Sequence, residues 1–309
     1  MEHNIFRECV LMEVTNILGD GYDINLHESI KNNGVSLWNI SIKEKRSIVA
    51  PSIYLEEYYE RYLTDICDIK TIAGEIVEIF KNHKNDIEFD INCFRNFEII
   101  KDNIRCKLIN TEKNRSFLEG VPHIEFLDLS IIFYCLFKET SIYTQSCTIQ
   151  NIHLDLWNID IEELFNIAKE NTVKYCGFQI KSMNQIVGEM LYKDFSDDNI
   201  TEENFEEFME KDEAKTPMYV LTNNQKMFGA VCILYKNILK KFSDILENDF
   251  FIIPSSIHEV ILIPYQSCED VEKYNEMVQE VNNTSVTEED RLADHIYLYK
   301  SELNQVIIP

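Results

Sequence analysis

Residues 217–264 constrain the fold most, because turn signals and apolar periodicity there leave few arrangements open. Tyr219, Val220, Leu221 and Thr222 run into the turn pair Asn223-Asn224 and then into the apolar run 228–234, a pattern that predicts a hairpin. Ile238, Leu239, Phe242, Ile245 and Leu246 recur at helical spacing, and residues 250–253 and 260–263 are apolar runs of strand length. The stretch therefore reads as two β-hairpins around one amphipathic helix. Between the last two strands stands Pro254-Ser255-Ser256-Ile257-His258-Glu259, the densest cluster of reactive side-chain types in the chain.

Upstream, Phe6, Val10, Val14, Ile17 and Leu18 draw an amphipathic helix, stopped by Gly19 and Gly21, where a positive φ is tolerated. A hairpin follows, turned at Asn32-Asn33-Gly34. Its second strand has Trp38, Ile40 and Ile42 on the better-buried face and Val35, Leu37, Asn39 and Ser41 on the other. Residues 55–82 form a tyrosine-rich helical segment broken near 65–70, whose tyrosines read as core residues with hydroxyls at the rim. A helix at 93–101, a strand at 104–109 and a short helix at 112–118 come next. The apolar stretch after Pro122 is paired with residues 148–157 as its antiparallel partner, and a helix at 161–169 closes the unit. The strand, strand, helix order recurs at 218–247, which suggests two similar halves. A helix at 269–281, with Val271, Tyr274, Val278 and Val281 inward, and a strand at 294–299 complete the chain. The fold class is α/β in the α+β sense, with mixed, largely antiparallel sheets built from hairpin-plus-helix units.

Residues 194–213 hold ten acidic side chains against the single base Lys211, and like charges at that density oppose packing. The organisation read from this is an N-terminal portion at 1–193, an acidic linker or short helix at 194–216, and a C-terminal portion at 217–309. Glu202, Glu203, Glu206, Glu207 and Glu210 are the candidate partner-binding residues.

The formal charge of −25 argues against phosphate backbones or anionic lipids as direct partners, since such binding draws on Lys and Arg displacing counterions. An acidic surface instead steers basic grooves toward itself, so the expected partner is another protein. Nine cysteines without a CxxC pair, mostly inside apolar runs, read as free thiols of a reducing compartment, hence a cytoplasmic protein. The longest apolar run, 127–137, contains Asp128 and is too short to span a bilayer.

Four histidines, His123, His153, His258 and His295, stand at or near the beginning of apolar strands. Converging in one sheet, they could build a metal site with Asp155 or Glu259, although no HExxH or paired HxH spacing supports one. Ser255, Ser256, His258 and Glu259 include the residue types of a nucleophile, its base and an orienting acid, yet His258 and Glu259 would point to opposite faces of a strand and there is no GxSxG elbow. The reading preferred for these residues is a polar turn, with Ser255 or Ser256 satisfying turn amides and His258 and Glu259 at the strand entry. No GxGxxG or P-loop occurs, so no cofactor is expected.

Several blocks carry a resemblance: residues 34–42 with Ala50-Pro51-Ser52-Ile53-Tyr54-Leu55, residues 121–134, Pro217-Met218-Tyr219-Val220-Leu221-Thr222-Asn223, and Pro254-Ser255-Ser256-Ile257-His258-Glu259-Val260. Together they are similar to an uncharacterised family of Gram-positive anaerobic bacteria and their mobile elements. That resemblance implies a bacterial cytoplasm and an accessory role, and brings no activity, cofactor or site residue. The functional expectation is a non-enzymatic binding protein acting on host or defence machinery through an acidic surface. Its rival is a hydrolase or nucleic-acid-processing enzyme gathering His123, His153, His258 and Glu259 at strand ends.

Overall fold

The computed structural model describes residues 2–45, 51–83, 94–139, 144–194, 217–265 and 271–309. The chain divides into two units, Met1–Ile99 and Ile100–Pro309.

In the first unit, helix α1 (His3–Leu18) buries Phe6, Val10 and Val14, while Ile17 stays exposed. Gly19 ends it at φ 72°, with its amide donating to the Thr15 carbonyl at 2.8 Å. Strands β1 (Tyr22–Ile30) and β2 (Ser36–Glu44) pair antiparallel with Ile24 opposite Ile42 and Leu26 opposite Ile40. The expected turn residues make the connection, Asn33 and Gly34 both adopting positive φ. Strand β3 (Ser52–Tyr54) adds to β2. Helices α2 (Glu56–Leu63) and α3 (Ile69–His83) flank the expected break. Ile72, Ala73, Ile76, Val77 and Phe80 join Phe6, Val10, Val14, Ile40, Ile42 and Leu55 in one core, with Tyr58, Tyr59 and Tyr62 half-buried against it. The hairpin departs from simple alternation at Asn39, 1% exposed, whose amide donates to the His27 carbonyl and Ser29 Oγ. Burying it is tolerated because both donor contacts replace water.

Among the described residues the second unit contains two sheets, and every strand pair in them is antiparallel. In the four-stranded sheet β6 (Leu129–Glu139) is central, with β4 (Ile104–Asn110) along one side and β5 (His123–Phe126) and β7 (Thr144–Thr148) along the other. Residues 148–157 are therefore not the partner strand. Apart from its first residue that segment lies beyond β7, and most of it is helix α4 (Asn151–Trp157), started by a reciprocal cap in which Gln150 and His153 satisfy each other's end of the first turn. Helix α5 (Ile161–Asn171), capped by Asp160, buries Leu164 and Ala168.

The six-stranded sheet has the order β13-β12-β10-β11-β9-β8. Strand β8 (Gln179–Ser182) pairs with β9 (Tyr219–Thr222), so strands on either side of the acidic run share one sheet. Helix α6 (Met183–Asp194) follows β8, and the rest of the run from residue 195 on, with Glu202, Glu203, Glu206, Glu207 and Glu210, lies outside the described residues. The expected hairpin at Asn223-Asn224 does not form. Residues Gly229–Leu234 are a tight 3₁₀ segment, all six buried, and β9 pairs instead with β8 and β11. An unbroken apolar run carries no periodicity to separate strand from buried coil, and the left-handed backbone at Lys226 and Phe228 turns the chain out of strand geometry. The strand, strand, helix recurrence at 218–247 consequently has only one strand.

Helix α7 (Lys236–Leu246) sets Phe242 against Tyr219 and Phe250. Strands β10 (Phe250–Ile253) and β11 (Val260–Pro264) form the expected hairpin. Helix α8 (Val271–Thr284) covers the opposite face through Tyr274 and Val278, which pack with Phe251, Ile253, Ile263 and Leu298. Val281, expected inward, is 43% exposed; Asn282 takes the buried place and donates to the Ala293 carbonyl and Asp294 Oδ1. Strands β12 (Tyr297–Lys300) and β13 (Gln305–Ile307) complete the sheet.

Ile76→Ala should destabilise the first unit by about 2–5 kcal/mol, because a fully buried residue leaves a cavity its neighbours only partly fill. Denaturant titration of the purified chain measures it.

Candidate functional site

The loop Pro254-Ser255-Ser256-Ile257-His258-Glu259 joins β10 to β11 as a set of backbone ties. The Ser255 amide donates to the Ile253 carbonyl and that of Ser256 to the Glu259 carbonyl, while Ser256 Oγ accepts the His258 amide at 3.0 Å. The Ile257 amide reaches the Asp290 carbonyl at 2.8 Å, and its own carbonyl accepts from Ala230. Thr222 Oγ1 donates to the His258 carbonyl at 2.7 Å.

The His258 ring has both nitrogens engaged. Nδ1 accepts the Phe228 amide at 3.1 Å, which leaves the proton on Nε2, facing Asp290 Oδ1 at 3.2 Å. Asp290 Oδ2 in turn accepts from Thr287 Oγ1. The imidazole stacks on Phe228 at 5.6 Å, and the same phenyl ring meets Tyr134 edge-on at 5.5 Å and Lys107 Nζ at 4.0 Å. Phe228 adopts φ 56°, an uncommon conformation for a bulky residue, held by the hydrogen bond its amide donates to the His258 ring. Behind it Gly229 has no space for a side chain: a Cβ would lie 2.1 Å from Thr222 Oγ1 and 2.5 Å from the His258 carbonyl.

This arrangement is a joint. A general base needs a free lone pair, and that of His258 is spent on a backbone amide. Ser256 uses its hydroxyl on the His258 amide, not on the ring, and Glu259 contributes its carbonyl to the turn.

The other candidates have separate partners. His123 Nδ1 faces the Val121 carbonyl at 3.0 Å. His153 Nδ1 accepts the Gln150 amide at 2.9 Å, its ring stacks on Trp157, and burial lowers its pKa. His295 lies with Asp128. Among the described residues no group of three or more His, Cys, Asp or Glu side chains could hold a metal ion.

Asp128, read in the sequence only as an interruption of an apolar run, centres the second polar cluster. It follows Leu127, at φ 59°, in the two-residue turn between β5 and β6. Its Oδ2 lies 2.9 Å from His295 Nε2, its Oδ1 accepts from the Tyr297 hydroxyl at 2.8 Å, and its carbonyl accepts the Thr111 amide. His295 Nδ1 faces the Ile296 carbonyl, so both ring nitrogens look at acceptors. Hydrogen bonding to Asp128, against the opposing effect of burial, raises the His295 pKa. Burial would raise Asp128, but the bonds from His295 and Tyr297 outweigh it and hold the carboxyl low. Beside it Lys113 pairs with Asp294 at 3.4 Å, and Asn110 donates to the Leu292 carbonyl. The cluster thereby ties the β5–β6 turn to the segment leading into β12.

A family model of unknown function matches residues 3–301. The chain belongs to DUF5688. No curated protein matches it, and no solved structure does either. For this DUF5688 member no helix among the described residues is long and apolar enough to cross a membrane.

Two outcomes follow from these clusters. Gly229→Ala should cost on the order of 3 kcal/mol in chemical denaturation, since the close neighbours include backbone. The Asp128–His295 contribution should be full between about pH 4 and 6.5, the ordinary values of the two groups. Above that window it fades as pH rises through the raised His295 pKa, and below it as pH falls through the depressed Asp128 pKa. Thermal midpoints against pH should show this dependence, worth on the order of 1 kcal/mol at a partly exposed pair, and Asp128→Asn should flatten it.

Proposed function

We propose that this protein acts by binding another macromolecule, a protein with a basic groove, through its acidic surface. The observation that carries the reading is the pairing of a charge of −25 with the fate of the bases. Lys43, Arg61, Lys113, Lys181, Lys240 and Lys300 are in ion pairs with Asp23, Glu75, Asp294, Glu189, Asp244 and Asp249. Arg7, Lys31, Arg105 and Lys107 lie over the rings of Trp38, Tyr54, Tyr175 and Phe228. These ten of the 29 Lys and Arg are thus held against partners in the same chain, and 54 Asp and Glu against 29 Lys and Arg leave a negative excess for solvent. Such a field speeds encounter with cationic surfaces and repels nucleic acid. The acidic run at 194–213, with Glu202, Glu203, Glu206, Glu207 and Glu210, adds ten carboxylates to it by composition.

In this reading the partner is a nucleic-acid-handling protein of the host or of its defences. The chain is an accessory factor of a mobile element or phage in the cytoplasm of a Gram-positive anaerobe. The seven cysteines among the described residues form no disulfide, which supports a reducing compartment. The rival hydrolase gains no support from the geometry, because His123, His153 and His258 each have their own partners.

Capture from extracts of the native cell on the immobilised chain tests the proposal. Basic nucleic-acid-binding proteins should be retained at about 0.05 M salt and fall at least about tenfold at about 0.5 M, where screening is severe. Soluble heparin should displace them. A retained protein whose yield ignores both treatments would sink the proposal.

A further inference from the structure

Cys135 on β6 and Cys147 on β7 stand directly opposite each other in the antiparallel ladder. Directly opposed residues project to the same face with Cα atoms about 4.5–5.5 Å apart, within the span of about 4.4–6.8 Å that a disulfide bridges. Both are free thiols. Burial, and after it the charge of the neighbouring Cys147, raise the pKa of the Cys135 thiol. Their access differs: Cys135 is 0% exposed, whereas Cys147 is the one exposed cysteine residue among the described residues, with its thiol still raised in pKa by partial burial. Cys106, Cys176 and Cys232 are buried, and Cys9 and Cys67 are intermediate. Twelve positions separate 135 from 147 in sequence, a spacing that matches no redox motif, so only the strand register brings the pair together.

We propose that Cys135 and Cys147 are an oxidation site that closes reversibly to a cross-strand disulfide on reaction with a low-molecular-weight disulfide. In the first step the Cys147 thiolate attacks one sulfur of the small disulfide. A mixed disulfide forms on Cys147, and the first small thiolate departs and takes up the proton that Cys147 lost. In the second step Cys135 loses its proton and attacks the Cys147 sulfur; the Cys135–Cys147 bond forms as the second small thiol leaves with that proton. Two protein thiols are oxidised and one small disulfide is reduced to two thiols. Burial pushes the Cys135 thiol up to about 12, so the second step draws on the fixed proximity of the pair, which replaces a bimolecular encounter. The product has one end on an exposed residue, which places it with the reducible disulfides. It would lock β7, which pairs among the described residues only with β6, to the centre of its sheet beside the bulge at Leu136/Lys138.

The test treats the reduced full-length chain with oxidised glutathione, traps remaining thiols by alkylation and maps the peptides by mass spectrometry. Expected is a linked peptide pair containing Cys135 and Cys147, at least about tenfold over the glutathione adduct of Cys147, and its loss on adding dithiothreitol. Cys135→Ala should stop at the adduct on Cys147, and Cys147→Ser should remove both species. Should Cys135→Ala fail to fold, the ratio in the wild-type chain decides alone. Predominant adduct, linkage of Cys147 to another cysteine, or no reaction at Cys147 would each overturn the proposal.

Discussion

Residues Gly229–Leu234 are buried without a strand partner, and the centre of the second unit is arranged around satisfying their backbone. The Ala230 amide is taken by the Ile257 carbonyl, the Val231 amide by Phe228, and the Phe228 amide by the His258 ring. Asn223 closes the preceding loop by accepting from the Met227 amide through Oδ1 and donating to its carbonyl through Nδ2. Close approach of these backbones requires glycine at 229. The Pro254-Ser255-Ser256-Ile257-His258-Glu259 loop is polar for the same reason: it supplies acceptors and donors to a coil that has no ladder of its own.

A second constraint acts where the β5–β6 turn meets the approach to β12. Asp128 receives hydrogen bonds from two residues of one short segment, His295 and Tyr297, and the neighbouring Lys113–Asp294 pair and Asn110 reinforce the contact. Apolar packing holds each sheet to its helices, as in Phe251, Tyr274 and Val278, but it is nondirectional. These charged and hydrogen-bonded contacts add direction, since each has few geometries in which all its groups are satisfied. Positive φ at Leu127 and Phe228 marks the two places where the backbone yields to them.

The electrostatic picture follows from the same economy of partners. At least ten of the bases meet carboxylates or aromatic faces of the same chain, and 54 acids against 29 bases leave the excess charge negative. On the proposed reading function resides in a field, with the reactive side-chain types of the 254–259 loop used for architecture.

Elements with a clean period or a strong turn were legible from residue order: the first helix with its Gly19 stop, the Asn33-Gly34 hairpin, the break between α2 and α3, and the β10–β11 hairpin. Their signals are local, set by steric limits on φ and by the alternation of apolar side chains. Illegible were the 3₁₀ course of Gly229–Leu234, the helix at Asn151–Trp157, and the roles of Asp128, His258 and Cys147. An unbroken apolar run reads alike as strand or buried coil, and a polar side chain acquires its role from a partner far away in the chain. The sequence by itself determined an acidic, mixed, antiparallel α/β protein and the places where its chain turns. Only the tertiary structure decided which strands pair and which polar atoms meet, because register and long-range hydrogen bonds depend on groups that no local pattern records.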